Sequence, residues 1–214
     1  MDFLDPRIED YSEQHSSPES ELLQRINRET HMQVLNPRML SGPLQGRFLS
    51  LISQMIQPKY ILEVGTYTGY SAIAMLQGLR PDGELHTIDR DEELADRVSG
   101  YFQEADGGDR IHSHIGDARG ILEDLKRPWD LVFLDADKEN YSHYYDQVID
   151  DLQPGGYLLA DNVLWSGKVL EPAASGDVDT AGLQAFNAKI QDDDRVENML
   201  LPLRDGLMMV RKKA

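Results

Sequence analysis

Two periodicities divide the chain. Up to residue 57 the apolar positions recur at helical spacing. Leu22, Leu23 and Ile26 follow Ser17-Pro18-Glu19, which reads as an N-cap with proline at the first helical position. Leu44, Phe48, Leu51, Ile52 and Met55 form a second helical run, stopped by Pro58. From residue 58 short apolar runs alternate with helical segments. Strands are predicted at 60–64, 85–89, 111–115, 131–134 and 157–160. Helices are predicted at 71–79, at 118–125, at 141–149, and where Leu94, Val98, Tyr101 and Phe102 share a face. Such alternation predicts an α/β fold, a doubly wound parallel sheet with helices on both faces. The end differs: 196–203 and 207–212 flank Asp205-Gly206 and read as an antiparallel hairpin. The Gly-, Ala- and Ser-rich stretch 165–182 reads as a long loop, and loops of that length are often functional. Asp192-Asp193-Asp194 reads as a solvated loop. There is no internal repeat and no low-complexity segment.

Composition narrows the partners. The 214 residues suit one structural domain, and 40% hydrophobic residues can bury a sizeable core. Lys plus Arg number 21 against 38 Asp plus Glu, a net charge of −17. A surface that acidic repels phosphate backbones and anionic lipid, which disfavours nucleic-acid and membrane-surface partners. Cysteine is absent, which excludes disulfides and thiolate chemistry. No apolar run approaches the roughly 20 residues that span a bilayer. Met1-Asp2-Phe3-Leu4-Asp5 is acidic where a signal peptide would be basic, so a cytoplasmic location is expected.

In doubly wound sheets ligands bind beyond the carboxyl ends of the strands, so the chemistry is sought there. The first strand runs into Glu63-Val64-Gly65-Thr66-Tyr67-Thr68-Gly69-Tyr70-Ser71. Its glycines allow a tight turn, but Tyr67 stands where a dinucleotide fingerprint needs its second glycine, which argues against a pyrophosphate. Glu63, a carboxylate on an apolar strand, suits a cationic ligand group. Asp89 ends the second strand where an acidic residue accepts ribose hydroxyls, while Asp91 is better placed to cap the next helix. Gly65, Gly69 and Asp89 together point to a nucleoside cofactor. Asp117, in Gly116-Asp117-Ala118, fits either an adenine amino group or a plain helix cap. Asp135, Asp161 and Asn162 offer three hard oxygen ligands at neighbouring strand ends, a set for Mg²⁺ or a similar cation. Lys138, three residues beyond Asp135, becomes a usable general base if a neighbouring cation depresses its pKa. His112 and His114 share a strand face with no carboxylate nearby in sequence, and read as packed or solvated imidazoles. Tyr141, Tyr144 and Tyr145 read as a helix packing face. No serine has a nucleophile-elbow setting.

From about Arg38 to Lys212 the chain resembles the class I S-adenosylmethionine-dependent O-methyltransferases of the catechol and caffeoyl-CoA type. The resemblance rests on Glu63–Ser71, on Phe133-Leu134-Asp135-Ala136-Asp137-Lys138-Glu139-Asn140-Tyr141 and on Asp161-Asn162-Val163-Leu164-Trp165. It implies a Rossmann-like seven-stranded sheet, mostly parallel with an antiparallel C-terminal strand. Residues 1–57 would supply N-terminal helices on the lid, dimer and substrate side, and 58–214 the S-adenosylmethionine-binding methyltransferase domain. It implies Asp135, Asp161 and Asn162 as ligands of Mg²⁺ (or Ca²⁺ or Mn²⁺), with Lys138 and Asp135 catalytic. Glu63, Gly65, Thr66, Tyr67, Ser71, Asp89 and Asp135 match cofactor positions, with Asp117 and Ala118 near the adenine. Met39 and Ser41 lie in a segment resembling the lid over the methionine part. The implied acceptor is a catechol-like small molecule, and the implied assembly a homodimer. One branch of the superfamily modifies a hydroxylated uridine in tRNA, a reading that the net charge opposes. Asp135-Ala136-Asp137 also fits the Asp-x-Asp motif of metal-dependent glycosyltransferases, which Glu63 facing a diphosphate opposes. The 24 Asp against 14 Glu, and 14 Arg against 7 Lys, resemble adaptation to high salt.

Overall fold

The computed structural model describes residues 6–214. Met1–Asp5, whose acidity counted against a signal peptide, lie outside the described residues. Two compact units divide the chain between Asp117 and Ala118, inside the segment read as one 58–214 domain. The strand order is β3-β2-β1-β4-β5-β7-β6, the seven-stranded, mostly parallel sheet expected. Among the described residues no helix is long and apolar enough to cross a membrane.

The first unit carries helices α1 (Pro6–Gln14), α2 (Glu21–Gln33), α3 (Gly42–Ile56), α4 (Tyr70–Leu76) and α5 (Ala95–Glu104). Its strands β1 (Tyr60–Val64), β2 (Glu84–Asp89) and β3 (Ile111–Ile115) are parallel, with Ile61 beside Leu85 and Leu85 beside Ile111. Ile61 to Val64 are all buried, as both-face burial in a parallel sheet requires. Two local expectations are corrected. Helix α2 starts at Glu21, because Ser20, and not Ser17, accepts the Leu23 N–H at 3.3 Å. Helix α3 forms as expected, but its buried side is Gln45, Gly46, Leu49, Ser50 and Ser53, while Leu51 and Met55 are exposed. Small side chains explain the inversion. A Cβ at Gly46 would meet Tyr70 Cε1 at 2.6 Å, so the helices touch through Gly46, and Ser53 Oγ donates to the Met75 carbonyl at 2.6 Å.

The second unit holds α6 (Ala118–Asp124), β4 (Trp129–Leu134), α7 (Tyr141–Val148), β5 (Leu152–Asp161), α8 (Val178–Gln191), β6 (Val196–Leu201) and β7 (Leu207–Lys212). Strands β4 and β5 are parallel, and β7 runs antiparallel to both β5 and β6, the hairpin expected. Strand β5 begins five residues early, because Pro154-Gly155 lies within the strand and not in a turn, with Gly155 at φ +83°. The loop expected over 165–182 ends sooner than predicted. A 3-10 turn occupies Trp165–Leu170, and α8 starts at Val178, capped by Asp177 accepting the Thr180 N–H at 3.1 Å. Thr180, Leu183, Phe186 and Ile190 form its buried face. The Asp192–Asp194 run is not simply solvated: Asp193 accepts from the Tyr145 hydroxyl at 2.7 Å and from Arg195.

Candidate active site

In the first unit three strand ends are stitched together by backbone. Gly65 N–H donates to the Ile88 carbonyl at 2.9 Å, and Gly116 N–H to the Asp89 carbonyl at 2.8 Å. The turn after β1 then uses left-handed residues at Gly65 (φ +107°), Tyr67 (φ +48°) and Gly69 (φ +77°). A tyrosine in that region is strained by roughly 1–2 kcal/mol, so its neighbours must hold it. They do: Asp89 Oδ2 accepts the Tyr67 N–H at 2.7 Å, and the Tyr67 hydroxyl donates to the Leu35 carbonyl at 3.1 Å. The second contact ties the turn to the chain just before Met39 and Ser41. Met39 is exposed and Ser41 is buried beside the start of α3.

Asp89 Oδ1 accepts the Asp91 N–H at 2.9 Å, while Asp91 itself caps the next turn by accepting from Glu93. Two backbone amides thus orient Asp89 and leave its remaining lone pairs for a ligand. Glu63 is fully buried, and its Oε2 accepts from the Thr87 hydroxyl at 2.5 Å. That spends the only proton of Thr87, so the Thr66 hydroxyl, 2.5 Å from it, is the donor of that second bond. Thr87 had no sequence signal beyond its place on a strand. Ser71 is buried in the first turn of α4. Between Tyr67, Asp89, Leu94 and Ile115 lies a narrow crevice, and Ile115 is 40% exposed at the end of β3. Ile115 and Leu94 escaped the sequence reading because an apolar residue at a strand or helix end resembles ordinary core. Asp117 is exposed one residue beyond Gly116.

In the second unit β4 delivers Asp135 and β5 delivers Asp161 and Asn162. Asp161 is buried, and its Oδ1 accepts the Asn162 N–H at 2.8 Å. Asn162 is left-handed at φ +61°, a conformation asparagine tolerates better than most residues. The β6–β7 turn braces this loop, with Val163 N–H donating to the Gly206 carbonyl and Leu164 N–H to that of Asp205. Lys138 is buried. Its Nζ lies 3.0 Å from Asp135 Oδ1 and 2.7 Å from the Tyr141 hydroxyl, which in turn lies 3.1 and 3.0 Å from the carbonyls of Leu134 and Asp161. Tyr141 thereby fastens the ends of β4 and β5 to the lysine. Burial alone would depress the Lys138 ammonium, but Tyr141, Asp135 and Asp161 outweigh it and raise its pKa. The protein's own groups therefore act against the depression expected from a neighbouring cation. Helix α8 closes on this corner: a Cβ at Gly182 would meet Glu139 Cα at 2.7 Å and the Lys138 carbonyl at 2.8 Å.

The three tyrosines of α7 are buried as predicted, yet each hydroxyl is used. Tyr144 donates to Asp137 at 2.6 Å, and Asn140 also contacts that carboxylate. Asp137 is thus engaged within the protein, which weakens the Asp-x-Asp reading. The donor set that remains, two carboxylates and an amide oxygen without sulfur or imidazole, suits a hard dication.

The family of the chain follows from comparison with known proteins. A family model described as O-methyltransferase matches residues 13–213. The chain belongs to the O-methyltransferase family. It is a class I S-adenosylmethionine-dependent O-methyltransferase of the caffeoyl-CoA type. It is 30% identical over 210 residues to a probable caffeoyl-CoA O-methyltransferase 2 of Dictyostelium discoideum, covering 95% of this chain and 88% of that one. Among solved structures it resembles the O-methyltransferase TomG from Streptomyces achromogenes, involved in tomaymycin synthesis, in complex with SAM. That match has a TM-score of 0.91 at 27% identity, over 97% and 96% of the two chains. A Bacillus cereus O-methyltransferase in complex with SAH matches at TM-score 0.90 and 28% identity, covering 97% of each chain.

Proposed function

We propose that this enzyme methylates one hydroxyl of a catechol-like vicinal diol in a divalent-metal-dependent reaction. The observation that carries the reading is the corner of the second unit. There a buried lysine, Asp135, and through Tyr141 the end of β5 that bears Asp161 are bonded into one cluster. Asp135, Asp161 and Asn162 would hold the cation, Mg²⁺ first and Ca²⁺ or Mn²⁺ as alternatives. Bound there, it would supply charge neutralisation to paired oxygens, which a lone phenol cannot offer.

On the cofactor side, Asp89 would accept the ribose hydroxyls, and the bare backbone at Gly65 would let the ligand approach. Buried Glu63 would meet the amino-acid ammonium, held in place by Thr87 and Thr66. Ser71 and the Met39–Ser41 segment would border the methionine part, with Tyr67 holding that segment near. Asp117, Ala118, Leu94 and Ile115 would surround the adenine. S-adenosylmethionine supplies a methyl group on a positively charged sulfur. The acceptor oxygen forms its bond to that carbon as the carbon–sulfur bond breaks, and S-adenosylhomocysteine leaves. Lys138 Nζ would take the acceptor's proton once a cation held by Asp135 and Asp161 offsets the carboxylates that raise its pKa, with Tyr141 positioning it. Within the second unit, the stretch 165–182 would border the acceptor. A second copy of the chain would complete the expected homodimer.

The test is a panel of acceptors with labelled S-adenosylmethionine and Mg²⁺: caffeic acid, simple catechol and a matched monophenol. The diols should accept label at least about tenfold faster. A monophenol that accepts as well as its diol would overturn the chelation reading.

A further inference from the structure

In the first unit, β2 and edge strand β3 gather a second set of chemically capable side chains. Residues two apart on a strand share a face, and His86 sits beside His112 in the parallel register. Glu84 and His86 of β2 therefore meet His112 and His114 of β3 on one face. The rings stack, with centroids 4.9 Å apart for His86 and His112 and 5.3 Å for His86 and His114. His86 is buried; its Nε2 lies 3.2 Å from Glu84 Oε2 and its Nδ1 3.0 Å from His114 Nε2. One ligand atom each from Glu84, His86 and His112 fall within 4.8 Å of one another. His112 is exposed, and Glu84 and His114 are partly so, which gives an ion access.

We propose that Glu84, His86 and His112 bind a borderline transition-metal ion, zinc(II) by preference. Two imidazoles and a carboxylate form a known type of three-ligand zinc set, with a fourth position for water. Tetrahedral ligands about 2.0–2.1 Å from zinc lie about 3.4 Å apart, so Glu84 and His86 already stand at ligand spacing. The exposed His112 ring closes the remaining gap by turning about its own side-chain bonds. The tautomers agree with this assignment. If His86 ligates through Nε2, its proton sits on Nδ1 and is donated to His114 Nε2, so His114 is a positioning residue that fixes the ring. Without an ion, the proton on Nε2 faces Glu84, and metal binding replaces that proton. The ion would pin edge strand β3 to β2, and with it the Ile115–Asp117 end of β3.

The experiment uses the full chain stripped with a chelator, in millimolar Mg²⁺ so that a hard-oxygen site is filled with a cation imidazoles bind poorly. Titration with zinc chloride should show one equivalent bound and a rise in melting temperature. Cobalt(II) should give the intense visible bands of a four-coordinate site. In His112→Ala, whose side chain is exposed, both signals should vanish, while methyl transfer under Mg²⁺ continues. His114→Ala should keep the site but weaken zinc about 10–100-fold. If wild type takes up no zinc, or if His112→Ala and wild type titrate alike, the assignment is wrong. The cluster is then only a hydrogen-bonded Glu84–His86–His114 chain.

Discussion

Lys138 is the residue on which the proposed chemistry turns. Lys138→Arg keeps the positive charge beside Asp135 but puts a group there that does not deprotonate. It should lower kcat by about 10²–10⁴ with S-adenosylhomocysteine affinity unchanged by calorimetry. A variant with near wild-type kcat would remove Lys138 from the proton's path. Asp193 makes a different kind of prediction. Hydrogen bonds from Arg195, with that of the Tyr145 hydroxyl, hold its carboxyl well below the usual range. A depressed carboxyl contributes stability that is present above the unfolded value near 4 and lost as pH falls through the folded one. The melting-temperature gap between wild type and Asp193→Asn should thus be constant from pH 6 to 7 and shrink below about pH 4. At this scale the sequence was legible wherever a residue's type restricted its use. Asp89 and Asp91 were told apart by capping position, and the structure gives Asp91 the cap. Thr87 and Tyr141 were not legible as site residues, because hydroxyls that orient another side chain look like ordinary packing positions.

At the scale of elements, periodicity located most strands and helices to within a few residues and failed at α8. Gly182 and its small neighbours diluted the helical pattern, although Asp177 before Thr180, with Leu183, Phe186 and Ile190 after it, carried a cap and a face. The glycine that obscured the helix is the one that lets it approach the Lys138 turn. Gly182→Ala should therefore cost about 1–3 kcal/mol by crowding that backbone, despite alanine's better helix propensity, and should lower kcat as well. Gly120→Ala in α6, where an added Cβ meets nothing within 4 Å, should stabilise by about 0.5–1 kcal/mol. Chemical denaturation of the two variants checks the contrast; equal effects would mean that the α8 contact is loose. Helix α3 shows the opposite failure. Its position was readable but its orientation was not, because close packing set polar and small Gln45, Gly46, Ser50 and Ser53 beside Leu49 on the buried side.

For the whole molecule, the charge of −17 is far larger than the few carboxylates of the site require. The surplus is mutual repulsion across the surface, which falls as the Debye length shrinks from about 10 Å at 0.1 M salt to about 3 Å at 1 M. The melting temperature should accordingly rise from low to molar KCl, and a flat or falling curve would remove the high-salt explanation. The parallel strands and the antiparallel end agree with what alternation and the Asp-Gly hairpin predicted, since those signals depend on element sequence and turn chemistry and not on contacts. The division between Asp117 and Ala118 was not readable, because no Pro-, Gly- or Ser-rich linker marks it.

Metal-dependent methyl transfer to a vicinal diol is open to a single assay. Labelled S-adenosylmethionine and catechol are incubated with the enzyme before and after complete chelation by EDTA, and then with Mg²⁺ restored. Transfer should fall at least about a hundredfold on chelation, return with Mg²⁺, and fail to return in Asp161→Ala. Transfer that persists undiminished after metal removal would contradict metal dependence.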